Sequence, residues 1–185
     1  MNTSPFTAAL LAGGRSSRMG QDKATLLWEG KALWKRQIEL LESLHPEHLL
    51  ISGRPDGPYI SSSYPVVFDR ENNLGPLAGL KSLLENCTTP RLLVLAVDMP
   101  WMTLSLLQQL LQENEALVPQ CEGWWEGTAA VYPREILPLI ETSLKTSDRS
   151  FQSLLTRAKE QKLIRSWIVP SQFRSCFQSW NSPLM

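Results

Sequence analysis

Residues 10–23 read LLAGGRSSRMGQDK. The apolar run ends at Gly13 and Gly14, and Arg15, Arg18 and Lys23 follow within nine residues. Upstream, "FTAALLAG" has the unbroken apolar character of a buried strand, so the chain leaves a core strand straight into a small cationic loop. In open parallel sheets, ligands gather beyond the carboxyl ends of the strands. Paired glycines let backbone N–H groups approach an anion, and clustered cations suit a polyphosphate withdrawn from bulk water. A solvated surface turn is the competing reading of the same residues. Neither GxxxxGK[ST] nor GxGxxG occurs here, so the two most familiar phosphate loops are excluded.

Outward from this loop, apolar runs alternate with helical patterns, which predicts an α/β layered fold with a mostly parallel central sheet. "KALWKRQIELLESL" spaces Trp34, Ile38, Leu41 and Leu44 or His45 as one helical face. "EHLLISG" and "YPVVFD" read as the second and third strands, and "GPLAGLKSLLEN" as a helix with Leu77, Leu80 and Leu84 aligned. "RLLVLAVD" is the most strand-like run, suited to a central position covered on both faces. "TLSLLQQLLQ" is helical, and "ALVP" and "GTAAVYP" are strands flanking a loop, "QCEGWWEG". Pro133 opens a helix over "REILPLIETSL", which Pro138 should kink or stop. Asp148 is the expected cap of the helix in "SDRSFQSLLTRAKEQ", and "LIRSWIV" is a late strand. No repeat or long linker divides the chain, so residues 1–185 are read as one domain.

The chain has 18 Lys plus Arg against 18 Asp plus Glu, so no overall field draws it to nucleic acid or an anionic membrane. Any anion must be held by a local cluster. Cys87, Cys121 and Cys176 are odd in number and far apart, which fits free thiols better than a disulfide framework or a metal site. The N-terminal stretch lacks a basic n-region, and its apolar run is too short for a membrane span, so a cytoplasmic protein is expected.

"LAGGRSSRMGQDKATL" resembles the N-terminal signature of the molybdenum cofactor guanylyltransferase family, LAGGxSxRMGxDKxxL, with Leu11, Ala12, Gly13, Gly14, Ser16, Arg18, Met19, Gly20, Asp22, Lys23 and Leu26 in register. "FDRENNLGPLAGL", with Asp69 and Gly75 to Gly79, and "LAVDMP", with Asp98, resemble later family motifs; Val97 stands where cysteine is common. "NSP" resembles the family's NTP element, matched by Asn181 and Pro183. The resemblance implies a Rossmann-like three-layer domain that joins GMP from GTP to the phosphate of molybdopterin and releases pyrophosphate. It implies Mg²⁺ as cofactor, GTP and molybdopterin or molybdenum cofactor as partners, and contacts with cofactor-biosynthesis or molybdoenzyme-delivery proteins.

Carried over residue by residue, the family assigns nucleotide binding to Leu11, Ala12, Gly13, Gly14, Lys23, Ser52, Asp69 and Asp98. Asp98 is also the metal ligand, since Mg²⁺ takes one or two carboxylates together with phosphate oxygens. Arg18, Lys23 and Asp98 form the catalytic set, the cations stabilising charge that develops on the transferring phosphoryl group and departing pyrophosphate. Arg18 also has a structural reading, as a partner of Asp22. Asp69 reads equally well as a cap for the turn before "GPLAGL", and Arg15 as a solvated charge. Ser52 stands where the family often has asparagine for base reading, with shorter reach and fewer donors. Asn181 is the acceptor-side candidate, while Trp124 and Trp125 suit either a pterin ring or a sheet edge. No side-chain nucleophile is needed, because the acceptor phosphate can attack in line; His45 and His48 precede the second strand and are not catalysts. Gly13 argues against a cytidylyltransferase of the same cofactor, whose motif usually reads LAAG. That cytidylyltransferase, a sugar-phosphate nucleotidyltransferase and a GTP-binding accessory protein without catalysis are the alternatives.

Overall fold

Strand β1 (Phe6–Leu11) is buried along its whole length, with Ala8 and Leu10 entering one hydrophobic core and Ala9 and Leu11 the other. That two-sided burial is what an unbroken apolar run requires. The computed structural model describes residues 4–13, 22–68 and 75–180. In chain order, a 3₁₀ turn (Lys23–Thr25) leads to a short hairpin of β2 (Leu27–Trp28) and β3 (Lys31–Ala32) and then to α1 (Leu33–Glu42). Next come β4 (His48–Gly53), β5 (Val66–Phe68), α2 (Pro76–Glu85), β6 (Arg91–Ala96) and α3 (Leu104–Gln112). The remainder comprises β7 (Leu117–Cys121), β8 (Trp124–Trp125), β9 (Ala129–Pro133), α4 (Leu137–Leu144), α5 (Phe151–Glu160), β10 (Arg165–Ile168) and a 3₁₀ segment, Ser171–Phe177.

The main sheet has the order β5-β4-β1-β6-β9. The β5–β4, β4–β1 and β1–β6 pairings are parallel, and only the β6–β9 pairing is antiparallel. Helices α1 and α3 share one core with Ala8, Leu10, Leu93 and Leu95. Helices α2, α4 and α5 share the other with Ala9, Leu11, Leu92 and Val94. The result is the expected α/β three-layer arrangement with a mostly parallel central sheet. Each leucine sealed between the layers contributes about 1.5–3 kcal/mol through burial. Among the described residues, no helix is long and apolar enough to cross a membrane.

Three local expectations are corrected. "QCEGWWEG" is a hairpin rather than a loop: Gln120 and Cys121 pair with Trp125 and Trp124 across a two-residue turn, Glu122 (φ 50°) and Gly123 (φ 87°). Two successive positive φ values match the twist that joins adjacent antiparallel strands. "ALVP" does run into a strand as expected, β7, which pairs with β10 and β8 in a second, three-stranded sheet. Pro138 lies in the first turn of α4, where a missing N–H costs nothing, and a 3₁₀ turn (Arg134–Ile136) precedes it. Ser150, not Asp148, caps α5: its hydroxyl accepts from Ser153 N (3.2 Å), while Asp148 Oδ1 accepts from Ser150 N (3.2 Å).

Candidate functional site

The carboxyl ends of β4, β1 and β6 lie side by side, because Leu11 is in register with Ser52 on one flank and Ala96 on the other. The ladder continues one step into the loops: Ala12 N donates to Ser52 O (2.8 Å), and Val97 N to Leu11 O (3.0 Å). Beyond these bonds the two loops part, one carrying Gly13 and the other Asp98. Lys23 bridges them, its Nζ lying 2.7 Å from Asp98 Oδ2. Both side chains are about one-fifth exposed, so the pair is open to an incoming group yet shielded from bulk water.

The Asp98 loop is held from several sides. Gln37 is fully buried on the apolar face of α1 and donates through Nε2 to Met99 O (2.6 Å). Arg36 Nη2 donates to Met102 O (3.3 Å), and Trp180 N to Asp98 O (2.7 Å). Trp28 meets Trp101 and Trp180 edge to face, with ring centroids 5.0 and 5.5 Å apart, packing the β2–β3 hairpin against the loop and the C-terminal segment.

Two glycines at this edge differ in kind. An ideal Cβ at Gly79 would lie 2.9 Å from Ser52 Oγ and 3.2 Å from Leu11 Cδ2, so glycine is what lets α2 settle on β1 and β4. At Gly13 the nearest atoms would be 3.8–3.9 Å from such a Cβ, which is ordinary contact, and its φ lies outside the left-handed region. Packing within the described residues therefore has no need of glycine at position 13. Ser52, between the two, is buried beneath the loops rather than standing open beside them.

Sequence reasoning passed over Gln37, which holds the Asp98 loop, and two residues that organise the β4 end of the site, Tyr59 and Arg54. Tyr59 is fully buried, and a Cβ at Gly53 or Gly57 would come within 2.2 or 2.3 Å of its ring. Its hydroxyl accepts from Arg54 N (2.7 Å) and donates to Ala12 O (3.4 Å), and burial pushes its pKa upward. Arg54 Nη2 reaches Asp22 Oδ2 (2.5 Å), so the Asp22 carboxylate, offered above to Arg18, has Arg54 as a partner. Gln37 was visible as a lone polar residue in an apolar helical stripe. Tyr59 was visible only as an aromatic between Gly57 and a serine run.

Of the sequence-predicted residues, Leu11, Ala12, Gly13, Lys23, Ser52 and Asp98 come together at this edge. Gly14, Arg18, Asp69 and Asn181 lie outside the described residues. Trp124 and Trp125 are not a common platform. Trp125 is buried, with Nε1 donating to Thr156 Oγ1 (3.2 Å) and its backbone clamped by Gln152, while Trp124 is exposed. His48 begins β4, at the opposite end of the strand from Ser52.

Among the described residues, no group of three or more His, Cys, Asp or Glu could by itself hold a metal ion. A hard divalent cation bound together with a triphosphate does not need one, since a single carboxylate supplemented by phosphate oxygens and water suffices. Asp98 fits that donor set: its partly exposed carboxylate already receives a compact cation, the Lys23 ammonium.

A family profile described as MobA-like NTP transferase domain matches residues 8–162. A probable molybdenum cofactor guanylyltransferase from Opitutus terrae is 31% identical over 188 residues, covering 98% of this chain and 93% of the relative. A molybdenum cofactor guanylyltransferase from Xanthomonas euvesicatoria pv. vesicatoria is 42% identical over 113 residues, 60% of this chain and 56% of its own. Among solved structures, molybdopterin-guanine dinucleotide biosynthesis protein A from Archaeoglobus fulgidus has a similar fold, with a TM-score of 0.72 at 24% identity, covering 96% of this chain and 93% of that one.

Proposed function

Because the chain belongs to the MobA-like NTP transferase family, we propose that it transfers GMP from GTP to the terminal phosphate of molybdopterin, releasing pyrophosphate and forming molybdopterin guanine dinucleotide. The relatives named as molybdenum cofactor guanylyltransferases support this choice of donor and acceptor. The observation that carries the reading is the convergence of the Gly13 backbone, Lys23 and Asp98 beyond two adjacent parallel strands. The whole chain acts as one catalytic unit in the cytoplasm.

The residues divide the work as follows. The backbone from Leu11 to Gly14 lies along the nucleotide, and the absence of a side chain at Gly13 lets the ligand come close. Lys23 leaves Asp98 for the triphosphate and meets negative charge that grows on the departing pyrophosphate; Arg18 assists it. Asp98 would hold Mg²⁺, in a family that generally uses a divalent metal. When bound, the ion neutralises phosphate oxygens and makes the α-phosphorus more electrophilic. Asp69 serves the base and ribose side and Asn181 the acceptor, while Ser52, being buried, supports the loops around the ligand. The acceptor phosphate is itself the nucleophile: its oxygen forms the new bond to the α-phosphorus as the bond to pyrophosphate breaks, so no basic side chain is required.

Purified protein incubated with molybdopterin, Mg²⁺ and either GTP or CTP tests the reading by mass spectrometry. The GMP adduct and stoichiometric pyrophosphate are expected with GTP. Adduct formation only with CTP, or GTP binding without transfer, would replace this function with one of the alternatives.

A further inference from the structure

Arg54 joins the end of β4 to the base of Lys23. Its Nη2 lies 2.5 Å from Asp22 Oδ2, while Asp22 Oδ1 accepts from Ala24 N (3.0 Å) and so caps the turn that Lys23 opens. One carboxylate thus ties the guanidinium to the backbone from which Lys23 projects. Arg54 is itself held: its N–H donates to the Tyr59 hydroxyl, whose ring is seated on Gly53 and Gly57 and whose O–H reaches Ala12 O. Its Nε faces Asp56 Oδ1 at 3.4 Å without a hydrogen bond, leaving Asp22 as the directed partner.

The Arg54 and Asp22 side chains are 24% and 19% exposed. A charge pair taken that far out of water adds little net stability, and the best-attested use of such pairs is to specify geometry. Here the specified geometry is that of residues 22–25. With its base fixed, Lys23 can pass between Asp98 and a bound phosphate by side-chain rotation alone. With its base loose, ordering of backbone and side chain must be met at the moment of binding, which weakens affinity.

We propose that Arg54 is a positioning residue for Lys23, acting through Asp22 to preset the ammonium for the triphosphate; this rests on the donor reading given above. A purely structural Arg54 would weaken the protein whatever stands at position 23. A positioning Arg54 should matter only while Lys23 is present, which a double-mutant cycle separates.

The experiment is calorimetric titration of GTP–Mg²⁺ into wild type, Arg54→Ala, Lys23→Ala and the double variant, with no acceptor. Arg54→Ala is expected to weaken binding by about tenfold alone and by less than about twofold in the Lys23→Ala background. Arg54→Lys, which restores the charge facing Asp22, should recover most of the loss. If Arg54→Ala does not fold, Asp22→Asn runs the same cycle, since the amide oxygen still caps Ala24 while the ion pair is lost. Equal losses in both backgrounds, or none in either, overturn the positioning role and leave the donor reading standing. Wild-type protein that binds no GTP overturns the donor reading and this role with it.

Discussion

Lys23 Nζ and Asp98 Oδ2 meet at 2.7 Å across 75 positions of sequence, from loops that follow two neighbouring parallel strands. On the proposed reading each side chain fills the place that a ligand would take from the other, the ammonium that of a metal and the carboxylate that of a phosphate. Nucleotide binding on this reading is an exchange of partners rather than the filling of a void.

Asp98→Ala should reduce GMP transfer by at least about a hundredfold, because the only carboxylate proposed for the metal is gone. Pyrophosphate release measured across a range of Mg²⁺ concentrations checks this. Recovery of normal turnover at high Mg²⁺ would move the metal to another residue.

Lys23→Ala should cost about 2–4 kcal/mol in kcat/KM for GTP, the size expected for a lost transition-state donor. The acceptor KM should stay close to that of wild type. Steady-state kinetics with each substrate varied in turn separates the two.

The two glycines give opposite expectations. Gly79→Ala drives a methyl to 2.9 Å from Ser52 Oγ and should destabilise the fold by about 1–3 kcal/mol in urea denaturation. Removing that hydroxyl with Ser52→Ala should relieve part of the loss. Gly13→Ala meets only ordinary contacts and should leave stability unchanged or raise it by about 0.4–1 kcal/mol, while GTP affinity falls. Unaltered GTP affinity in Gly13→Ala would show that the nucleotide does not approach that backbone.

Gln37→Leu leaves Met99 O without its donor and should cost about 1–3 kcal/mol, together with a fall in kcat as the Asp98 loop loses its anchor on α1. Full activity in a destabilised variant would make Gln37 a matter of folding alone.

Burial, reinforced by Glu126, pushes the Cys121 thiol up to about 11 from an ordinary value of 9.0. Its alkylation by iodoacetamide should therefore be slow at pH 8 and accelerate toward pH 11. The sign for stability follows from linkage. The folded state keeps this proton after the unfolded chain has lost it, so the contribution is complete below about pH 9 and fades as pH climbs through 11. Comparing urea midpoints of wild type and Cys121→Ser at pH 8 and pH 10.5 checks it.

The strands and helices were legible because each long apolar run has one way of being buried: "RLLVLAVD" yields a strand covered on both faces, and "LWKRQIEL" a one-sided helix. Positions decided by turn chemistry were harder to read. Glu122 adopts a positive φ that its residue type does not announce, so the sequence around Trp124 and Trp125 reads as a loop although it folds as a hairpin. Asp148 and Ser150 are both good capping residues two positions apart, and only the backbone decides between them. At the site, motif spacing indicated Gly13, Lys23 and Asp98. The supports for these residues (Tyr59, Arg54 and Gln37) act through contacts far apart in sequence, which no local pattern records.

The reversal of direction at β9 brings two separately built parts of the chain to one sheet edge. Because β9 runs opposite to β6, the segment before it returns to the edge where Asp98 emerges, and Thr128 O accepts from Ala96 N there (2.8 Å). The strands that present the donor-side loops are complete by residue 96, whereas the stretch entering β9 belongs to a later stretch of chain with its own small sheet. Within that later stretch Trp125 is buried and Gly127 packs against Phe151, so the segment that comes up beside the Asp98 loop is fixed by the second core rather than by the strands that carry Gly13 and Lys23.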